Sequence, residues 1–328
     1  MNSRLLSIII PVYKVEKYIN KCLDSLIVPD EMMEQLEVIV VNDGTPDQSA
    51  EMAREYEKKY PRTFRVIDKE NGGHGSAWNR GLKEATGKYL RFLDSDDWLT
   101  NLEAFMPELE RVEDDMVYTN VSRFYEDVDK TVVDRIDNTL EYNKSYEFES
   151  VNLNRIPFGF WNWTYKTELL KKNEPLFVEH VYYDDAILFY APVMLSKSFR
   201  AFDFVFYNYR LGRPDQTMNK SVQKKHAADY SPVSLAIIDF VKKNIDRVSH
   251  SKQLFIKESL SHYIDSCFNW LLLLDYNDFT EVMKKWLPKL IESKHAFTNV
   301  CKRLRLYRLL PCFLSYVVLK YYASLRDK

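Results

Sequence analysis

Asp94-Ser95-Asp96, followed at once by Asp97, is the densest group of chemistry-bearing residues in the sequence. It closes the apolar run Tyr89 to Leu93, which reads as a buried strand. Two carboxylates one residue apart on a strand-end turn can hold one hard divalent cation, Mg2+ or Mn2+, against a diphosphate. Such a cation offsets the charge that builds on a leaving nucleoside diphosphate. The same residues also suit a polar turn in which Asp97 caps the next helix. Asp43 ends a second apolar run, Leu36 to Val41. A carboxylate there can accept a hydrogen bond from an imide N–H such as uracil N3, or simply form an Asx turn within Asn42-Asp43-Gly44.

The elements around these residues alternate. Leu6 to Ile10 reads as a buried strand ended by Pro11, and Ile19, Cys22, Leu23 and Leu26 recur at helical spacing. After the second strand, Thr45 is expected to cap a helix with Pro46 as its first residue. Phe64 to Ile67 is a short third strand, and a helix is expected from Ser76 until Gly87 stops it. This alternation predicts a mostly parallel sheet covered on both faces, with ligands at the carboxyl ends of its strands. Asp43 and the Asp94 cluster both lie at such ends. The first strand–helix turn, Pro11-Val12-Tyr13-Lys14-Val15-Glu16, contains no glycine. That disfavours the dinucleotide fingerprint, the Walker loop and the sugar nucleotidyltransferases, which bring bare backbone near phosphates. Tyr13 can stack on a flat base or stand as a half-buried turn aromatic.

Beyond Met116 the pattern is mixed, with strand-like pieces over Met116 to Val121 and Phe202 to Tyr209 and a helix from about Asp185 to Leu195. From Tyr230 onward it is helical (Ser234 to Val241, Phe255 to Leu274, Phe279 to Ile291). The chain has 328 residues, 46% hydrophobic and 29% charged, enough for two domains and a sizeable core. Its formal net charge of −2 lends no support to a nucleic-acid partner. Cys22, Cys267, Cys301 and Cys312 show no metal-binding or disulfide spacing, so a reduced, cytoplasmic protein is expected. Met1 to Arg4 runs straight into the first strand, leaving no room for a signal peptide, and no apolar run reaches a membrane span. Residues 301–328 hold 7 basic residues and one acid. They suit either an amphipathic helix on an anionic membrane or a terminal helix packed on the domain.

Ile8-Ile9-Ile10-Pro11-Val12-Tyr13, Val40-Val41-Asn42-Asp43-Gly44-Thr45, Asn71-Gly72-Gly73, Asn79-Arg80-Gly81, Ala85-Thr86-Gly87-Lys88-Tyr89 and Phe92-Leu93-Asp94-Ser95-Asp96-Asp97 occur in order. Together they resemble the family 2 glycosyltransferases of the GT-A fold, particularly bacterial capsule and exopolysaccharide enzymes. The resemblance covers about residues 5–215 and is strongest over 5–100. It implies an α/β GT-A domain over 1–225, with a nucleotide-binding half (1–100) and an acceptor-side half (101–225); the tail beyond it lies outside the resemblance, and its helical signals read as a helical extension over 226–328. It implies an inverting sugar transfer from a nucleotide sugar, most simply a UDP-sugar, to a glycan or polyprenyl-linked saccharide. Pro11, Tyr13 and Asp43 match nucleobase-binding positions; Asp94 and Asp96 match the motif that binds ribose, diphosphate and metal; Asn79 matches a donor-side position.

The family's general base is the Asp of a Glu-Asp pair that opens a helix. Val181-Tyr182-Tyr183-Asp184-Asp185-Ala186-Ile187 resembles that segment, with Asp185 as base and Asp184 in place of the usual Glu. Two carboxylates at a helix N-terminus also interact favourably with its dipole without any catalysis. Phe158 to Lys166 resembles the acceptor-side floor, where Trp161 or Trp163 either faces a sugar or sits in the core. Tyr209 to Arg213 and Thr217 resemble a loop that closes on donor phosphates, with Arg213 either neutralising the diphosphate or standing as a solvated loop arginine. Two rivals stay open: a non-catalytic nucleotide-sugar-binding or scaffolding subunit, and an unrelated nucleotide-binding α/β protein whose Asp turns are structural.

Overall fold

The computed structural model describes residues 4–213, 216–217, 219–292, 316–317 and 320. The chain divides into two compact units, Met1–His180 with Ile187–Arg213, and Val181–Ala186 with Pro214–Lys328.

In the first unit the chain runs β1 (Leu6–Val12), α1 (Ile19–Asp24), α2 (Asp30–Met33), β2 (Leu36–Asn42), α3 (Ser49–Lys59), β3 (Phe64–Asp68), α4 (His74–Glu84) and β4 (Tyr89–Phe92). It continues with β5 (Trp98–Leu99), α5 (Leu102–Glu110), β6 (Met116–Tyr125), β7 (Lys130–Asp134), β8 (Lys144–Glu147), β9 (Trp163–Lys166), α6 (Thr167–Lys171), α7 (Ile187–Leu195) and β10 (Ser198–Leu211). All ten strands join one sheet of order β3-β2-β1-β4-β9-β6-β10-β5, with β7 on β6 and β8 on β10. The architecture is α/β, as expected. Its first four strands are parallel throughout, and every residue of β1 and β4 is buried; Arg91 in β4 is buried too, with its guanidinium donating to the Thr119 and Thr164 hydroxyls. The second half is mixed: β6 and β10 run parallel, while β9, β5, β7 and β8 join antiparallel. β6 and β7 form a hairpin, while the other antiparallel pairs join strands far apart in the chain, so no regular strand–helix alternation marks this half.

One helix start differs from expectation. Thr45-Pro46 does not open α3, which begins at Ser49. Thr45 Oγ1 is taken by the Lys14 N–H (2.8 Å), and Asp47 Oδ1 instead accepts from the Ser49 N–H and hydroxyl. The helix expected from Asp185 is a 3-10 turn over Asp184–Ala186 followed by α7, and α4 begins at His74, two residues before Ser76.

The second unit is helical: α8 (Lys220–Lys225), α9 (Tyr230–Asn244), α10 (His250–Leu271) and α11 (Tyr276–Glu292), with a 3-10 turn at Ala227–Asp229. Ile256, Leu260, Ile264 and Phe268 on α10, and Phe279, Met283, Trp286 and Leu290 on α11, bury one stripe of each helix at the three- and four-residue spacing of an amphipathic helix. The Trp286 indole donates to Ser234 Oγ on α9 at 2.8 Å, so a polar group carried into this core is satisfied. No described helix is long and apolar enough to cross a membrane. Cys22 and Cys267 are buried free thiols, while Cys301, Cys312 and most of the basic stretch 301–328 lie outside the described residues.

Candidate functional site

β4 delivers its chain directly into the acidic turn, because Phe92 and Leu93 are fully buried and the polarity changes abruptly at Asp94. Asp94, Asp96 and Asp97 each present a carboxylate oxygen within 4.8 Å of the others. Three like charges this close oppose one another's ionisation. Burial first, and then the neighbouring Asp94, push the Asp96 carboxyl up to about 6, against the pull of Arg213 and Arg210. Asp97 is also pushed well up, by burial and then by Asp96 and Asp94.

The three carboxylates are held differently. Asp97 is 1% exposed and is clamped by β10. The Tyr207 hydroxyl donates to its Oδ2 (2.7 Å), and the Arg210 N–H donates to its Oδ1 (2.7 Å). The Tyr207 oxygen in turn accepts the Asp94 N–H at 3.2 Å, and Arg210 Nε donates to the Asp96 carbonyl at 3.0 Å. Two residues of β10, more than a hundred positions along the chain, therefore set the shape of the turn. Asp97 caps no helix, contrary to the polar-turn expectation; the next element is β5, and the carboxylate anchors the turn from beneath. Asp94 and Asp96 are the half-buried members. Asp94 Oδ1 lies 3.1 Å from His74 Nε2, and Asp96 Oδ2 lies 2.5 Å from Arg213 Nη2.

Asp43 lies at the end of β2 and is 3% exposed. Its Oδ1 accepts from the Gly72 N–H (2.9 Å) and Lys69 Nζ (2.6 Å), and its Oδ2 from the Gly73 N–H (2.8 Å). The Asx turn is formed by Asn42 instead, whose Oδ1 accepts the Thr45 N–H. Gly44 is in the left-handed region at φ +67, and a Cβ there would come 3.1 Å from the Asn71 nitrogen. Only a bare backbone lets the two loops close in this way. An ionised carboxylate has about four acceptor directions, and three are in use here.

Pro11 is buried near the end of β1, opposite Val41, and Tyr13 just beyond it is 44% exposed. Asn79, 8% exposed on α4, spends both ends of its amide on the backbone of another loop. Its Oδ1 accepts from the Leu176 and Phe177 N–H groups, and its Nδ2 donates to the Phe177 carbonyl and Glu179. Trp163 is core, with its indole N–H given to the Pro157 carbonyl; Trp161 is half-buried and stacks on Tyr209 at 5.3 Å. In the second unit, Asp184 is buried and Asp185 half-buried in the turn Asp184–Ala186.

The sequence profile of glycosyl transferase family 2 matches residues 7–174, about half of the chain. The chain belongs to glycosyl transferase family 2. Putative glycosyltransferase EpsH of Bacillus subtilis (strain 168) is 30% identical over 220 residues, 64% of this chain and 62% of that protein. Uncharacterized glycosyltransferase EpsJ of the same strain is 34% identical over 182 residues, 54% of this chain and 52% of that protein. The chain thus spans between half and two thirds of the length of these relatives. Among solved structures, Staphylococcus aureus TarS 1–349 in complex with UDP-GlcNAc superposes with a TM-score of 0.57 at 20% identity. The superposition covers 93% of this chain and 91% of that one. At such low identity the likeness speaks of the fold, which is GT-A.

Family 2 membership makes the strand-end carboxylates the centre of the candidate site. Lys69 on Asp43 and Tyr207 on Asp97 are not legible in the sequence, because neither carries a local signature and each reaches its partner only through the fold. His74 has a weak signal, a lone histidine in a glycine-rich loop, and the structure places it on Asp94.

Proposed function

We propose that the protein is an inverting glycosyltransferase that takes a sugar from a nucleotide donor, a UDP-sugar, and passes it to a glycan or polyprenyl-linked saccharide. The observation that carries this reading is the convergence of Asp94, Asp96 and Asp97 at the end of β4 in a family 2 fold. The donor set fits a divalent cation: hard oxygens only, drawn together against their own repulsion. Asp94 and Asp96 would hold Mg2+ or Mn2+, which offsets the charge on the departing diphosphate.

The protein's own groups do the rest. Tyr13 offers an exposed ring to the base, with Pro11 beside it, and Asp43 keeps an acceptor direction for the imide N–H. Arg213 brings positive charge to the acidic turn, where a diphosphate would share it. Asn79 acts here by fixing the loop 176–179 rather than by reaching outward. In the transfer, the acceptor oxygen forms a bond to the anomeric carbon while the bond from that carbon to the diphosphate oxygen breaks. The leaving nucleotide takes the electron pair, and Asp185 takes the acceptor's proton, supported by Asp184. A single displacement of this kind inverts the anomeric centre. The basic sequence 301–328, most of which lies outside the described residues, would suit peripheral contact with an anionic membrane or a terminal helix packed on the domain.

The test is a screen of UDP-sugars with Mn2+, beginning with UDP-GlcNAc because the TarS structure was solved with it. Binding at a hundred times Kd stabilises the fold by ~2.7 kcal/mol, a shift that a melting curve resolves. Metal-dependent stabilisation and UDP release are expected. If no UDP-sugar binds in any metal, the reading is wrong.

A further inference from the structure

The carboxylates Asp184 and Asp185 belong to the helical unit, which gathers the short segment Val181–Ala186 to itself. Tyr183, the residue before them, sits in the left-handed region at φ +64. A bulky side chain there is a strained choice that survives only where its surroundings impose it.

Those surroundings are rings. Tyr183 lies on Tyr230 at 4.1 Å between centroids and 6° between planes, and Tyr230 lies on Trp270 at 5.8 Å and 10°. Tyr230 is the first residue of α9 and Trp270 the penultimate residue of α10, so the ladder ties the segment to two helices. Tyr182 is held separately. Its ring stacks on His226 at 3.7 Å, and its N–H donates to Asp229 Oδ2 at 3.1 Å. The Tyr230 hydroxyl is pushed up by burial, then by Tyr183, with Cys267 and Asp185 contributing, which puts the Asp185 charge in the neighbourhood of the ladder. Aromatic pairs stabilise on the same scale as the backbone strain at Tyr183, so the rings suffice to hold it.

We infer that the ladder Tyr183–Tyr230–Trp270 is a positioning device for Asp184-Asp185. Tyr230 and Trp270 are positioning residues; neither needs to touch substrate. The inference rests on the reading of Asp185 as the general base.

The experiment uses the full chain as wild type and as Tyr230→Ala, Tyr230→Phe, Trp270→Leu and Asp185→Asn. Hydrogen exchange by mass spectrometry follows peptides covering 181–186, and UDP release from UDP-GlcNAc with Mn2+ follows turnover. Tyr230→Ala should speed exchange in that segment at least tenfold and lower kcat at least tenfold, with the donor KM within twofold. Tyr230→Phe, which keeps the ring, should match wild type in both. Trp270→Leu, which leaves the Tyr183–Tyr230 pair, should speed exchange severalfold and decides the matter if Tyr230→Ala does not fold. Unchanged exchange in the ring-deleted variants, or equal loss in Tyr230→Phe, overturns the inference. Wild-type turnover in Asp185→Asn removes the general-base reading instead, and the exchange data still decide whether the ladder orders the segment.

Discussion

At the end of β4 the carboxylates are fastened by hydrogen bonds and opposite charge, with Tyr207, Arg210, Arg213 and His74 around three aspartates. In the segment Val181–Ala186 the residues just before the carboxylates are held by rings, Tyr182 on His226 and Tyr183 on Tyr230, and the Tyr182 N–H donates to Asp229. The two regions face different physical demands. A cluster that gathers negative charge must be braced by donors and cations, because like charges otherwise drive it apart. A carboxylate that must accept a proton gains nothing from a cation bound to it, since that would hold its acidity too high. Aromatic packing fixes position without adding charge. Donors and cations gather around the acidic turn, and stacked rings order the chain beside Asp184-Asp185.

The sharpest way to break this contrast is to neutralise one member of each region. Asp96→Asn and Asp185→Asn should each lower UDP-releasing turnover on the order of 10²–10⁴-fold while the melting temperature stays close to wild type. Only Asp96→Asn should lose the response to Mn2+. Near-normal turnover in either variant refutes the role assigned to that residue.

A buried carboxylate outside both regions supplies the control. Glu37, 1% exposed on β2, accepts from Ser7 Oγ (2.6 Å), the Thr86 N–H (2.8 Å) and Thr86 Oγ1 (3.0 Å), and pairs with Arg4. Burial alone would raise its pKa, but the Ser7 and Thr86 hydrogen bonds and the Arg4 charge outweigh it and hold the group below its ordinary 4.5. A depressed folded pKa means that the ionised form stabilises the fold above about pH 4.5 and that this contribution fades as pH falls through the lowered value. Glu37→Gln should cost about 3 kcal/mol near neutral pH and flatten the acid limb of the stability curve. Denaturant titrations at pH 7 and pH 3 measure both.

Tyr207→Phe tests the bracing of the acidic turn directly. Deleting the hydroxyl leaves Asp97 Oδ2 and the Asp94 N–H short of a partner inside the protein, at a cost of about 2 kcal/mol. The Mn2+ concentration for half-maximal activity should rise in this variant, whereas hydrogen exchange over 181–186 should not change. The smallest effect is expected from Tyr13→Ala, where a ring exposed in the free protein is removed. Loss of base stacking is worth about 1 kcal/mol, on the order of fivefold in donor affinity, with no change in stability. Calorimetric titration with UDP reads it.

Much of the first half was legible in the sequence, because each feature there is local. Apolar runs such as Leu6–Val12 become strands buried on both faces, and the turns at the ends of such runs carry the candidate residues Asp43 and Asp94 to Asp96. The order of glycine-rich and acidic blocks also pointed to family 2, which the profile match shows. The start of α3 was misplaced because Asp47 competes with Thr45 for the capping role, and nothing in the spacing ranks the two acceptors. Which aspartate of the cluster is an anchor was not legible either. That depends on Tyr207 and Arg210, and their distance along the chain hides the pairing until β10 is laid beside β5 and β6.

Local chemistry in the sequence dictated the parallel strands of the first half, the strand-end placement of Asp43 and the Asp94 cluster, and the family blocks. Each follows from side-chain periodicity of two or 3.6 and from local turn chemistry, which act over a few residues. Only the tertiary structure decided that Asp97 is clamped from beneath, that Asn79 spends its amide on the loop 176–179, and that Asp184-Asp185 sits in a segment grouped with the helices. Those arrangements depend on contacts between residues roughly fifty to a hundred positions apart. Their energy comes from packing and hydrogen bonding that exist only once the chain has closed on itself.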